Sequence, residues 1–137
     1  MSFSKVFEIA GSAMSAQSVR LNVIASNLAN EGSISSNTEG TYRAKHPVFS
    51  AVMDSLSDDD SSVGVEVMGI VESNAPLRME YAPDHPMANE AGYIFRPNVN
   101  VVEEMANLIS ASRTYQTNVE VMNTCKQMLL KTLTLGQ

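Results

Sequence analysis

Disulfides, secretion signals, membrane spans and catalytic motifs are all missing from this 137-residue sequence. A single cysteine, Cys125, cannot close an internal bridge, and it has no CxxC companion or metal-ligand spacing. The apolar runs are only a few residues long, too short to cross a bilayer. Lys5 offers a charged start for a secretory signal, but Glu8 and Gly11 interrupt the apolar segment that must follow. By these signals alone the chain reads as cytoplasmic. No GxGxxG, P-loop, GxSxG or HExxH pattern is present. Prolines are absent from both ends, since Pro47, Pro76, Pro83, Pro86 and Pro97 all lie in the middle.

Basic charge is scarce as well. Nine Lys and Arg face fifteen Asp and Glu, a net charge of −6. Residues 1–30 carry +1, residues 31–97 carry −7 and residues 98–137 are neutral, so the centre holds the excess acid. With no basic stripe, nucleic acid and anionic lipid surfaces are excluded as direct partners.

What is present is helical periodicity at the two ends. Phe3, Phe7, Ala10, Met14, Gln17, Leu21, Ile24 and Leu28 step by four and three, and seven of these eight are apolar. Val101, Met105, Leu108, Ser112, Tyr115, Val119, Met122, Lys126, Leu129 and Leu133 repeat the pattern, with eight of ten apolar. Such spacing, held over several heptads, predicts a coiled-coil-like seam. The first helix is expected from Phe3 to about Ala29, with Asn30 and Gly32 as stops. The second is expected from an Asn100 N-cap, supported by Glu103 in a capping-box-like pair and by Glu104 at the dipole's positive end. Lys126 and Lys131 lie toward its C-terminus, and Gly136 marks the finish. The remaining faces of the first helix are small and uncharged, as at Ser12, Ala13, Ser15, Ala16, Ser18, Asn22, Ser26 and Asn27. A face made for water carries Lys and Glu. Small side chains instead let neighbouring helices approach and exchange hydrogen bonds, although a plain low-charge solvent face is the alternative.

The middle changes period. Val63, Val65 and Val67 alternate with Glu66 and Met68, Leu77, Met79 and Tyr81 alternate with Arg78 and Glu80, and Tyr93–Phe95 forms a third apolar run. Thr41–Val48 can extend, with Pro47 restricting it to an edge or an end. Glu31–Gly40 reads as a loop with scope to move, and Ser57–Ser62 as an acidic turn. The fold class is therefore α+β: long N- and C-terminal helices forming a coiled-coil-like layer, with a small central β region. The organisation is residues 1–30 as an N-terminal assembly helix, 31–97 as an acidic, β-rich centre with loops, and 98–137 as a C-terminal assembly helix.

Chemistry finds little footing. His46 and His85 each precede a proline, lie in predicted loops and have no visible nucleophile or orienting partner. Asp58 as the first ligand of a calcium loop would require glycine where Val63 stands and glutamate where Gly69 stands. Cys125 fits helix packing, and so do Met14, Met105, Met122 and Met128 of the nine methionines, without a cofactor. No catalytic, cofactor or metal site is expected.

Two segments carry a family resemblance. Gly11-Ser12-Ala13-Met14-Ser15-Ala16-Gln17 leads into Ala25-Ser26-Asn27-Leu28-Ala29-Asn30, and Pro97-Asn98-Val99-Asn100-Val101-Val102-Glu103-Glu104-Met105 opens the second helix. Together with Tyr42-Arg43-Ala44-Lys45 and the stretch from Ile109 to Gln137, they resemble the axial proteins of the bacterial flagellum, the rod, hook and junction proteins. The short middle is similar to that of a proximal rod member. The resemblance implies a structural subunit that polymerises through its end helices to transmit torque for motility. It implies as partners copies of itself, the other proximal rod subunits, the rod-to-membrane-ring adaptor and, indirectly, the distal rod. It also implies a place in the basal body reached through the flagellar type III export apparatus, without a cleaved signal, which replaces the cytoplasmic reading. The expected interface side chains are Phe3, Phe7, Met14, Leu21, Ile24, Leu28, Val101, Met105, Leu108, Tyr115, Val119, Met122, Leu129 and Leu133. The Glu31–Gly40 loop and the Asp58–Ser62 turn depart from the family pattern. A soluble coiled-coil adaptor or secretion chaperone is the alternative reading, and an enzyme built on His85 is the weakest.

Overall fold

Apolar heptads at both ends fold into a pair of long helices, and two β-ribbons fill the space between them in sequence. The computed structural model describes residues 3–53 and 63–136, so the acidic turn at 57–62 lies outside the described residues. The elements are α1 (Phe3–Asn30), β1 (Lys45–Met53), β2 (Val63–Glu72), β3 (Arg78–Tyr81), β4 (Tyr93–Arg96) and α2 (Val101–Leu135). This is the expected α+β architecture. α1 ends one residue later than the sequence suggests because Asn30 turns its Nδ2 back to the Ser26 carbonyl, 2.8 Å away.

α2 starts where the Asn100 side chain accepts hydrogen bonds from the Val102 and Glu103 amides. Glu103 does not return a bond to Asn100 among the described residues, so the capping box is one-sided. Neither Lys126 nor Lys131 reaches the last turn, and Gly136 closes the helix in right-handed geometry (φ −85°).

The helices are antiparallel. Asn27 near the end of α1 bonds Glu104 in the first turn of α2, and Arg20, two turns back, reaches Asn107. β1 and β2 pair antiparallel from Lys45–Glu72 to Met53–Val63, with a register shift between Val48 and Phe49. Pro47 sits inside β1 opposite Ile70, tolerated because both strands of a two-stranded ribbon are edges. His46 therefore belongs to a strand and not to a loop. β3 and β4 form a second ribbon, closed by an edge-to-face pair of Tyr81 and Tyr93 with ring centroids 5.1 Å apart. Ser35 bridges to Phe95 through both backbone groups, at 3.0 and 2.9 Å, which ties the Glu31–Gly40 loop to β4 at that point.

The first ribbon lies along α1. Ser12 Oγ accepts from the Val65 amide at 3.2 Å, and a Cβ at Gly64 would stand 3.4 Å from that same oxygen. The small side chains of α1 do admit a close neighbour, but the neighbour is a β-ribbon of the same chain. Ser15, Ser18 and Asn22, facing elsewhere, are exposed.

Among the described residues the buried core is thin, with Ala10, Ala16, Val23, Ile24, Ala44, Ile94, Val99, Ala111 and Cys125 as apolar members. The chain exposes 9336 Å². A compact monomer of 14.8 kDa exposes roughly 7000 Å². This chain is far from closed on itself.

Candidate assembly interface

The residues at the junction of the helices are polar and fully engaged. Asn27 is 0% exposed. Its Nδ2 donates to the Lys45 carbonyl at 2.8 Å and to Glu104 Oε2 at 3.2 Å. Its Oδ1 accepts from the Lys45 amide at 2.9 Å and from the Tyr42 hydroxyl, also at 2.9 Å. One amide thus fixes the end of α1, the start of β1 and the first turn of α2. Tyr42 further shares a hydrogen bond with Ser26.

Asn98 repeats the device one layer away. Its Oδ1 accepts from the Ala44 amide at 2.8 Å, and its Nδ2 donates to the Ser73 and Ala75 carbonyls. Arg78 donates to the Pro97 and Val99 carbonyls and pairs with Glu31 at 3.0 Å. These contacts clamp both ribbons to the entry of α2. Buried backbone and carboxylate groups cost free energy unless paired, so a satisfied polar junction specifies one arrangement of the elements.

The motif residues therefore divide. Asn27, Val99 and Glu104 are buried, while Ser26, Leu28, Asn30 and Asn98 are half-buried, all around this clasp. Ala29, Asn100, Glu103 and Met105 face outward. Tyr42 and Lys45 belong to the clasp, as does Arg78, whose role no spacing rule revealed. The signal for the first two was the Tyr42–Lys45 segment itself.

The expected seam residues divide too. Ile24 is buried, and Phe7, Met14, Leu21, Leu28, Val101, Leu108, Tyr115, Val119 and Met122 are half-buried. Phe3, Met105, Leu129 and Leu133 are exposed. Within α2 the face turned to the rest of the chain runs Val101, Glu104, Leu108, Ala111, Tyr115, Asn118, Met122, Cys125. It coincides with the expected heptad at alternate positions and departs by one residue at the others. Ala111 and Cys125, small and buried, stand where Ser112 and Lys126 were expected. That rotation leaves a second apolar stripe outside, with Val102 at 77%, Met105 at 55% and Ile109 at 61% exposure.

Catalytic geometry does not assemble around this junction. A cleft of about 230 Å³ is lined by Arg20, Lys45, His46, Glu104 and Asn107, with no serine, threonine or cysteine in its lining. His85 Nδ1 accepts from the Met87 amide at 3.0 Å within its turn. Among the described residues no group of His, Cys, Asp and Glu could hold a metal ion, and no helix is long and apolar enough to cross a membrane.

Comparison with known proteins bears on what this frame is for. Residues 7–40 match the family of flagella basal body rod proteins, and residues 90–135 match the C-terminal family of the flagellar basal body rod FlgEFG proteins. The flagellar basal-body rod protein FlgC of Salmonella typhimurium is 50% identical over the full length of both chains. That of Escherichia coli is 51% identical over the full length of both, and that of Buchnera aphidicola from Baizongia pistaciae 38%. The chain belongs to the FlgC family of flagellar basal-body rod proteins. As a FlgC-family member it is a structural component of the rod and not an enzyme. The two matched regions contain α2 and all but the first four residues of α1, and Asn27, Asn98 and Glu104 lie within them.

Proposed function

We propose that this FlgC-family chain is a subunit of the proximal rod, polymerising through its end helices so that torque passes along the basal body. The observation that carries this is the apolar surface left outside the helix pair: Met105, Ile109, Leu129 and Leu133, all on α2. Exposed apolar patches of this extent mark protein–protein contacts. The seam residues of α1 and α2 are only half-covered within one chain, so neighbouring copies complete their burial. Close-packed side chains transmit strain, which gives the assembled tube its stiffness. The clasp holds each subunit's two helices at a fixed mutual angle, as a torque-bearing part requires.

The partners in this reading are copies of the chain, the other proximal rod subunits and the adaptor joining rod to membrane ring, with the distal rod reached indirectly. Export proceeds through the flagellar type III apparatus without cleavage of a signal. A tagged chain is expected to co-purify with basal bodies at its full mass. Its absence from basal bodies of swimming cells, or a truncated N-terminus there, refutes the corresponding part of the reading.

A further inference from the structure

Arg20 is a cation that the fold leaves incompletely used. It reaches from α1 across to α2, where its Nη2 donates to Asn107 Oδ1 at 3.2 Å. A guanidinium offers a rigid fork of N–H donors shaped for a carboxylate. Among the described residues no carboxylate pairs with this one, and the ion pairs of Arg78 with Glu31 and of Arg96 with Glu80 lie elsewhere.

The cleft of about 230 Å³ between β1 and the helix pair opens beside Arg20. Val23 and Ile24, both buried, form its apolar floor with Phe49 next to them, and His46 stands exposed at the rim. Arg20 and Lys45 against Glu104 give the lining a net charge of +1, whereas residues 31–97 as a whole carry −7. Glu104 is 4% exposed and accepts from the Asn27 amide, so the accessible part of the lining is richer in donors than in acceptors. The volume is below the roughly 300–1000 Å³ of small-molecule sites, which suits a single side chain rather than a cofactor.

Resting on the rod-assembly reading, we propose that this cleft receives an aspartate or glutamate side chain from a different rod chain, with Arg20 as its principal partner. The guanidinium takes the carboxylate through the N–H groups that Asn107 leaves open, and Ile24 and Phe49 cover the carbons behind it. Copies of this chain repel one another at a net −6 each, so the acid comes from a rod chain of another kind. A charge pair of this sort contributes to the choice and orientation of a partner more than to raw affinity. Arg20 thereby helps decide which chain stands beside this one.

The test uses the full chain in cells, with His46 replaced by the photoreactive amino acid p-benzoylphenylalanine. After illumination, purified basal bodies should yield a covalent adduct with a different rod protein, and the linked peptide should contain Asp or Glu. Adding Arg20→Gln, which keeps a donor for Asn107 but removes the charge, should lower that yield about tenfold while the chain melts like its parent. Swimming cells that give no adduct, an adduct confined to this chain or a second copy, or a yield indifferent to Arg20→Gln overturn the docking. The assembly reading fails by a different result, the absence of the chain from basal bodies. If the photoreactive strain does not swim, charge reversal decides. Arg20→Glu should shrink the swimming zone, and selection for swimming should return Lys or Arg in place of an acid in another rod protein. Full motility of Arg20→Glu, or compensation found solely within this chain, overturns the proposal.

Discussion

Asn27 concentrates more of the fold in one side chain than any apolar residue here. Its amide makes four hydrogen bonds to three other residues, and replacing it leaves the Lys45 backbone groups and the Glu104 carboxylate without that partner. Asn27→Ala should cost about 2–4 kcal/mol, since each buried group left unpaired carries its own desolvation penalty. Asn30→Ala, which removes a single bond to Ser26, should cost about 1 kcal/mol or less. Thermal melts of the two variants against the parent check both values, and equal costs would remove the special role of Asn27. Gly92 is the other position where one atom matters. It holds φ at +81°, and a Cβ there would meet the Tyr81 ring at 2.9 Å. Gly92→Ala should destabilise by about 1–3 kcal/mol, because left-handed backbone strain and a ring clash act together. The loss should appear in the β3–β4 ribbon first, as faster amide exchange at Tyr81 and Tyr93.

α2 has two working sides, and substitutions should separate them. Met122 and Leu28 lie half-buried within the chain, whereas Met105 is exposed. Met105→Asp should leave the melting free energy within about 0.5 kcal/mol of the parent, as surface changes usually do. It should nevertheless abolish swimming, because the carboxylate then faces a neighbouring subunit. Met122→Asp and Leu28→Asp should lose swimming and also about 2 kcal/mol or more of stability, from a partly desolvated charge in the intrachain seam. The ribbons should survive either change, held by the Asn98 and Arg78 contacts. Motile cells carrying Met105→Asp would show that the outer stripe has no partner. The ion pair of Arg96 with Glu80, exposed on both sides, adds little to any of these balances.

At the scale of the molecule the imbalance is between a thin core and long helices. Among the described residues the largest fully buried side chains are Ile94, Asn27 and Pro97, the last two at the clasp. Away from it, α2 relies on Ala111 and Cys125 and on contacts that leave much of its surface wet. The isolated chain should therefore be ordered unevenly. A protease should cut the residues beyond Met128 fastest, the outer halves of both helices next, and the β3–β4 region last. Helical circular dichroism should rise with concentration as copies cover one another's stripes. Equal cutting rates along the chain, with helicity independent of concentration, would contradict the picture of an unfinished subunit.

The apolar periods alone determined that two long helices flank a β-rich centre, because a heptad pattern and an alternating pattern bury different faces of the backbone. The cap at Asn100 and the strands through Val65, Met79 and Ile94 were equally legible, since each depends on neighbours close in sequence. The family motifs were visible as well, although not their work as an internal clasp. The tertiary structure decided what has no local signature. It chose which side of α2 turns inward, by placing the small Ala111 and Cys125 against the rest of the chain. It laid the first ribbon along α1, where Ser12 and Gly64 permit the approach. It also set the step between the helices by fixing Asn27 against Glu104. Each of these depends on matching shape and hydrogen bonds between segments distant in sequence, and spacing along a single segment does not record that match.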